Sequence, residues 1–171
     1  MVWVHGRDQQ SGDTIAREIG GQFIQADLED ASEVASLARL LSAASGGCLD
    51  ILVNNAGLEV VMPFPELDLD SLDKMWRVNV RAAVQLTHAL LPALRASGSA
   101  SVINVTSIHQ TVAYPQNSAY ALSKAALGMF SQTLAVELAP LGIRVNNFSP
   151  GAVKTEMNRE LIEAMGTEFA E

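Results

Sequence analysis

Short apolar runs alternate with longer helix-like segments along the 171 residues, and this alternation restricts the chain to a parallel sheet with helices on both faces. The runs fall near residues 2 to 5, 22 to 26, 50 to 54, 101 to 106 and 143 to 147. Several are apolar throughout or nearly so, as strands buried on both faces must be. Between them, Asp8 is placed to cap a helix that Gly20 ends, and Asp30 with Glu33 opens a second helix in the manner of a capping box. Gly46 and Gly47 read as the stop of that second helix, whose stripe is Val34, Leu37, Leu40, Leu41 and Ala44. The segment from about Leu72 to Arg95 repeats the pattern with Leu72, Met75, Trp76, Val80, Val84 and His88, and Pro92 is expected to bend or fray its last turns.

Composition narrows the function classes. At this length a single domain covering residues 1 to 171, with a substantial core, is the default, and 49% of the residues are hydrophobic. A formal net charge of -8 argues against sequence-independent nucleic-acid binding, which relies on basic residues neutralising phosphates. Cys48 is the single cysteine, so no intrachain disulfide forms, and a small buried residue is the expectation for it. No apolar stretch reaches the roughly 20 residues of a membrane span, and no basic, then apolar, signal segment opens the chain. The cytoplasm is the expected location, with no membrane partner. His5, His88 and His109 show no ligand spacing, so no metal site is expected, and His109 reads as an exposed loop residue. Glu66, Asp68 and Asp70 read as the cap of the helix that follows them.

Ser107, Tyr120 and Lys124 carry the chemistry. Tyr120 lies thirteen positions after Ser107, and Lys124 one helical turn further on. A free phenol has a pKa of about 10 and handles protons poorly near neutrality unless a positive charge favours the phenolate. Residues i and i+4 on a helix share one face, so Lys124 can supply that charge. Ser107, at the end of the apolar run Ser101 to Thr106, can donate a hydrogen bond to a substrate oxygen. The trio reads as a carbonyl/alcohol redox site. Each member alone has a plainer reading, as loop serine, packing tyrosine or solvated lysine.

The order and spacing of further motifs resemble the short-chain dehydrogenase/reductase family over nearly the whole chain. Asn54-Asn55-Ala56-Gly57 is similar to the family's turn that supports the central sheet and lines the adenosine side of the cofactor. The resemblance implies that Asn79, Ser107, Tyr120 and Lys124 are the catalytic residues, with Asn79 and Lys124 holding a water-linked proton relay. It also implies that Asp27 lies near the adenine ring and that Pro150, Gly151 and Thr155 belong to the loop over the nicotinamide. By the same resemblance Tyr120 and Lys124 are expected to contact the cofactor as well. The implied fold is a Rossmann-like, doubly wound parallel sheet in a three-layer α/β/α arrangement. The implied reaction interconverts a carbonyl and a secondary alcohol by hydride transfer, on a small-molecule substrate. The stretch Ser107-Ile-His-Gln110 is similar to sugar dehydrogenases and to 3-oxoacyl reductases, which leaves the substrate open.

One family motif is absent. Members begin with a strand, a Gly-x-x-x-Gly-x-Gly turn and a helix, whereas Met1 to His5 here looks like the second strand and no such glycine cluster follows. The far end is also short of the family's last strand, so an internal fragment of a longer enzyme is expected. The missing first strand is central in the family's sheet, between the strands near residues 2 to 5 and 50 to 54. Its loss either opens a buried groove or is closed by pairing those two strands directly. Hence the competing reading, a catalytically incompetent fragment or assembly module that cannot bind cofactor. Gly6 stands where an acidic residue would favour NAD(H), and Arg7 follows with a guanidinium suited to a phosphate, so NADP(H) is the expected cofactor with NAD(H) possible. An exposed arginine beside a helix cap is the plainer reading of Arg7. The helices near 72 to 95 and 119 to 139 are apolar on more than one face and form the subunit interface in the family, which implies a homodimer or homotetramer.

Overall fold

The computed structural model describes residues 1–151 and Val153. Five strands and five α-helices alternate: β1 (Trp3–Gly6), α1 (Gln9–Glu18), β2 (Gln22–Gln25), α2 (Ala31–Ala44), β3 (Ile51–Asn54), α3 (Leu69–Trp76), α4 (Ala82–Ser97), β4 (Ser101–Val105), α5 (Ser118–Leu138) and β5 (Arg144–Phe148). The expected strands are thus present, displaced by a residue or so at their ends. Asp8 caps α1 through the Ser11 N–H, and Gly20, at φ 65, follows it. Asp30 caps α2 through the Ser32 N–H at 2.7 Å, but Glu33 accepts the N–H of Asp27 rather than that of Asp30, so its carboxylate braces the end of β2. Asp68 caps α3 through the N–H groups of Asp70 and Ser71.

The parallel sheet is split. β1 pairs with β2, with Trp3 opposite Gln22, and β3, β4 and β5 pair in that order, with Ile51 opposite Ser101 and Ser101 opposite Arg144. Of the two outcomes expected at the centre, the open groove is the one present. A cavity of about 1030 Å³ separates the two sheets, lined by Trp3, Val4 and His5 on one side and Ile51 to Asn54 on the other. The core lies under the three-stranded sheet, where α2 and α4 contribute Val34, Leu37, Leu86, Leu90 and Leu94 against Leu52, Val102 and Val145.

Two helices depart from the expected pattern. A π-helical turn, Arg77–Arg81, joins α3 to α4. Its extra residue rotates the buried face by about one helical position, which is how such turns break a regular stripe. Met75 and Val80 are buried as expected, but Val84 and His88 are exposed, and Ala83, Leu86 and Leu90 take their places. The helix continues through Pro92 to Ser97. In α2 the buried residues are Val34, Leu37 and Ala38, while Leu40 is 55% exposed. Cys48 is exposed, because it follows the two left-handed glycines that carry the chain off the end of α2. Among the described residues no helix is long and apolar enough to cross a membrane, and no cluster of metal-ligating side chains occurs.

Candidate active site

The strand ends and helix starts at one edge of the three-stranded sheet bring Asn79, Ser107, Tyr120 and Lys124 together. α5 presents Tyr120 and Lys124 on one face, with the Lys124 ammonium 5.6 Å from the centroid of the phenol ring. Lys124 is 3% exposed and donates to the carbonyl of Val105 at 2.8 Å. Val105 ends β4, two residues before Ser107, so the lysine is tied to the strand that delivers the serine. Ser107 is itself buried, interacts through a side-chain hydrogen bond with Tyr120, and accepts the N–H of His109 at 3.2 Å.

Asn79 sits on the π-helical turn and is 1% exposed. Its amide grips the backbone of Leu58, accepting the N–H at 2.7 Å and donating to the carbonyl at 2.8 Å. It also donates to Ser123 at 2.9 Å, and Ser123 donates to the Tyr120 carbonyl at 2.7 Å. Gly57 lies beside this group: a Cβ built there would be 3.3 Å from the Lys124 ammonium and 3.5 Å from the Asn79 oxygen. Loop Asn54–Leu58, the π-helical turn and α5 therefore meet at one point.

Burial dominates the proton affinities. It pushes the Lys124 ammonium down from 10.5 to about 8, against an opposing pull from the Glu59 carboxylate. Tyr120 moves up from 10.0, first because it is buried and second because Glu59 is near, while the hydrogen bond with Ser107 opposes the rise. This differs from the expected lysine-acidified phenol. The ammonium faces the ring, but desolvation of the phenolate and the neighbouring carboxylate outweigh it in the protein alone.

The model for short chain dehydrogenases matches residues 1–166. The chain belongs to the short-chain dehydrogenase family. It is 36% identical over 116 residues to a cyclopentanol dehydrogenase of Comamonas testosteroni, a match spanning 68% of this chain and 46% of that protein. It is also 33% identical over 155 residues to bovine (Bos taurus) retinol dehydrogenase 8, spanning 91% and 50%. The chain thus covers about half the length of these curated relatives. Among solved structures, a Pseudomonas aeruginosa RhlG/NADP active-site complex superposes with a TM-score of 0.87 at 35% identity, over 93% of this chain and 65% of that one. A Burkholderia cenocepacia gluconate 5-dehydrogenase in complex with NADP and tartrate gives a TM-score of 0.85 at 27% identity, over 93% and 64%.

The expected cofactor residues are spread along the same edge of the split sheet. Ala56 and Gly57 follow β3, and Ala56 lines the groove between the sheets. Asn54 turns inward instead: its amide donates to Asn104 at 2.7 Å and to Thr87 at 3.2 Å, binding β3 to β4 and α4. Asp27 follows β2 and accepts the Glu29 N–H, while exposed Arg7 follows β1 and receives the Gln25 side chain on its carbonyl. The Pro150 carbonyl accepts the N–H of Ile108 at 3.1 Å, which brings the segment after β5 against Ser107. Gly151 is exposed at its end, and Thr155 lies outside the described residues.

Two neighbours escape a reading of motifs alone, and a third is less exposed than expected. Glu59 is half-buried and electrostatically coupled to both Tyr120 and Lys124, yet nothing in its local spacing marks it. Ser123 was discoverable in principle, since it lies on the same helix one turn from Tyr120. His109 is half-buried rather than exposed, with its ring edge-on to that of Tyr120 at 6.3 Å and tilted against Tyr114 at 5.7 Å.

Proposed function

We propose that this chain carries the proton-handling half of an NAD(P)(H)-dependent oxidoreductase that interconverts a small-molecule carbonyl and a secondary alcohol. The observation that supports this most directly is the buried lysine beside the Tyr120 ring, anchored to the strand that carries Ser107. A buried cation costs stability unless it is paired, so one kept beside a phenol points to a functional task. In the reductive direction Tyr120 gives its hydroxyl proton to the carbonyl oxygen, and Ser107 holds that oxygen by a hydrogen bond. Lys124, with a pKa near 8, is poised to return a proton towards Tyr120, and Asn79 fixes the Leu58 backbone beside it.

The bare backbone at Gly57 lies against the Lys124 ammonium, so a ribose hydroxyl reaching this point would find the lysine as its donor. Gly57, Tyr120 and Lys124 would hold the nicotinamide end, with Pro150 and Gly151 beside Ser107, and Arg7 and Asp27 at the adenosine end. When bound, the nicotinamide ring supplies the hydride for the carbonyl carbon. Exposed Arg7 favours NADP(H), whose 2′-phosphate suits a guanidinium fork, and two similar structures are complexes with NADP. The exposed apolar residues Leu122, Met129 and Val136 on α5 support assembly as a homodimer or homotetramer.

A second reading has its own observation. The open groove between β1 and β3 interrupts the sheet beside which a dinucleotide lies, so the chain by itself binds cofactor poorly or not at all. Titration with NADPH and NADH, followed by energy transfer from Trp3 and Trp76, separates the two. Saturable binding with carbonyl reduction, abolished in Tyr120→Phe while binding persists, supports the enzyme. Near-normal turnover in Tyr120→Phe refutes the tyrosine's role, and absence of binding supports the incompetent fragment.

A further inference from the structure

Two loops meet beside Tyr120, and a backbone bond ties them together. The Met62 N–H, on the loop after Leu58, donates to the Gln116 carbonyl, on the loop after Ser107, at 3.0 Å. Asn79 holds the first loop at its other end, through both backbone groups of Leu58. Glu59 therefore sits between two anchored residues. It is half-buried, and its charge acts on both Tyr120 and Lys124. Among the described residues no hydrogen bond or ion pair engages its carboxylate, so both oxygens are free to accept from a ligand.

The second loop contributes a second acceptor. His109 bonds the Val112 carbonyl through Nδ1 at 3.1 Å. A carbonyl can only accept, so Nδ1 carries the hydrogen, and Nε2 of the neutral ring is left as an acceptor without a partner among the described residues. The imidazole stands between two phenol rings, tilted against Tyr114 and edge-on to Tyr120. Lys124, the cation coupled to Glu59, donates to Val105 on β4 rather than to either loop.

We propose that Glu59 and His109 form a specificity subsite for a hydrogen-bond donor, an ammonium or a hydroxyl, carried by the substrate near its reacting carbon. This rests on the oxidoreductase reading and deepens it by naming the substrate class: an amino or hydroxy alcohol and the matching carbonyl compound. A carboxylate or phosphate at the same place meets the Glu59 charge and is turned away. The rings of Tyr114 and His109 add flat surface for an apolar or aromatic body. Occupancy also bears on the proton. Glu59 raises the proton affinity of Tyr120 and Lys124, and an ammonium seated on it offsets that pull, which makes Tyr120 the readier donor when substrate is bound.

The test uses three probes of one shape: benzamidine, a cation with donors; benzamide, a neutral donor; and benzoate, an anion without donors. Binding at pH 7 is read from the imidazole proton resonances of His109, with His5 and His88 as controls. The proposal expects saturable shifts at His109, with benzoate bound at least about 5-fold more weakly than benzamidine. Benzamide identifies the donor: affinity like that of benzamidine assigns a hydroxyl, and affinity like that of benzoate assigns an ammonium. The net charge of -8 favours any cation, so the comparison with Glu59→Gln is decisive. In that variant the three affinities should fall within about 2-fold of one another, and Glu59→Asp should restore most of the difference. Benzoate binding as tightly as benzamidine, an order that survives Glu59→Gln, or shifts absent from His109 would each overturn the proposal. No readout involves cofactor or turnover, so equal affinities would leave the role of Tyr120 standing, and loss of that role would leave the affinities to be judged separately.

Discussion

Replacing Lys124 with methionine should stabilise the protein while eliminating the proposed activity. Burial lowers the lysine from 10.5 to about 8, a difference of roughly 2.5 pKa units, and at ~1.4 kcal/mol per unit this puts the cost of holding the charge in the fold at about 3 kcal/mol. Against this stands the bond to the Val105 carbonyl, worth about 1 to 2 kcal/mol, so the variant should gain about 1 to 2 kcal/mol at pH 7. The pH dependence is the sharper signature. Between pH 8 and 10.5 the unfolded chain keeps a proton on this lysine that the folded chain has released, so the wild type gains stability as pH rises through that window. Below pH 8 both states are protonated and the contribution is flat. Denaturant midpoints for both proteins at intervals from pH 7 to 10 give the difference curve, in which titrations common to the two cancel. The advantage of Lys124→Met should shrink as pH climbs above 8 and reverse in sign near pH 10. A gap between the two proteins that stays constant with pH would refute the reasoning, because the lysine would then carry no buried charge.

Asn79→Ala leaves the Leu58 N–H and carbonyl without their partner in a buried site, and should cost about 2 to 3 kcal/mol in urea unfolding as well as turnover. A loss below about 0.5 kcal/mol would mean water replaces the amide freely. Gly12→Ala drives a Cβ into the Phe23 ring, and the displacement of that ring should lower stability by about 1 to 3 kcal/mol, seen as an earlier thermal transition. Arg7→Ala should weaken NADPH binding and leave NADH binding nearly unchanged, and an unaltered ratio of the two affinities would remove the basis for an NADP(H) preference.

Most of the architecture was legible because it depends on burial. Strands apolar on both faces, separated by helix caps at Asp8, Asp30 and Asp68, leave few alternatives to a parallel sheet, and those caps are where the structure has them. The π-helical turn was not legible, since an inserted residue changes no composition and only shifts which of Val84 or Ala83 faces inward. Cys48 was misjudged for a similar reason: residue-type preference says buried, but two left-handed glycines decide where the chain goes next. At the site, Tyr120 and Lys124 were readable because helical spacing alone puts them on one face. Glu59 was not, because its influence depends on Asn79 clamping the residue before it, a contact across 21 positions.

The split sheet divides the chain's tasks unequally. Ser107, Tyr120, Lys124 and Asn79 all belong to β4, α5 and the segments packed on them, within the three-stranded half and its continuous core. Arg7 and Asp27 follow β1 and β2, in the two-stranded half across the groove. The proposed proton transfer would need side chains held within fractions of an ångström, and the half proposed to carry it has the paired strands to do so. The proposed dinucleotide recognition would need residues from both halves at a fixed separation, and that separation is what the edges of β1 and β3, unpaired among the described residues, leave least constrained. Loss of cofactor affinity should therefore precede loss of the catalytic geometry whenever the two sheets shift relative to each other. Under mild denaturant, exchange at the β1 and β2 amides should accelerate before exchange at β4, and the reverse order would place the weak seam elsewhere.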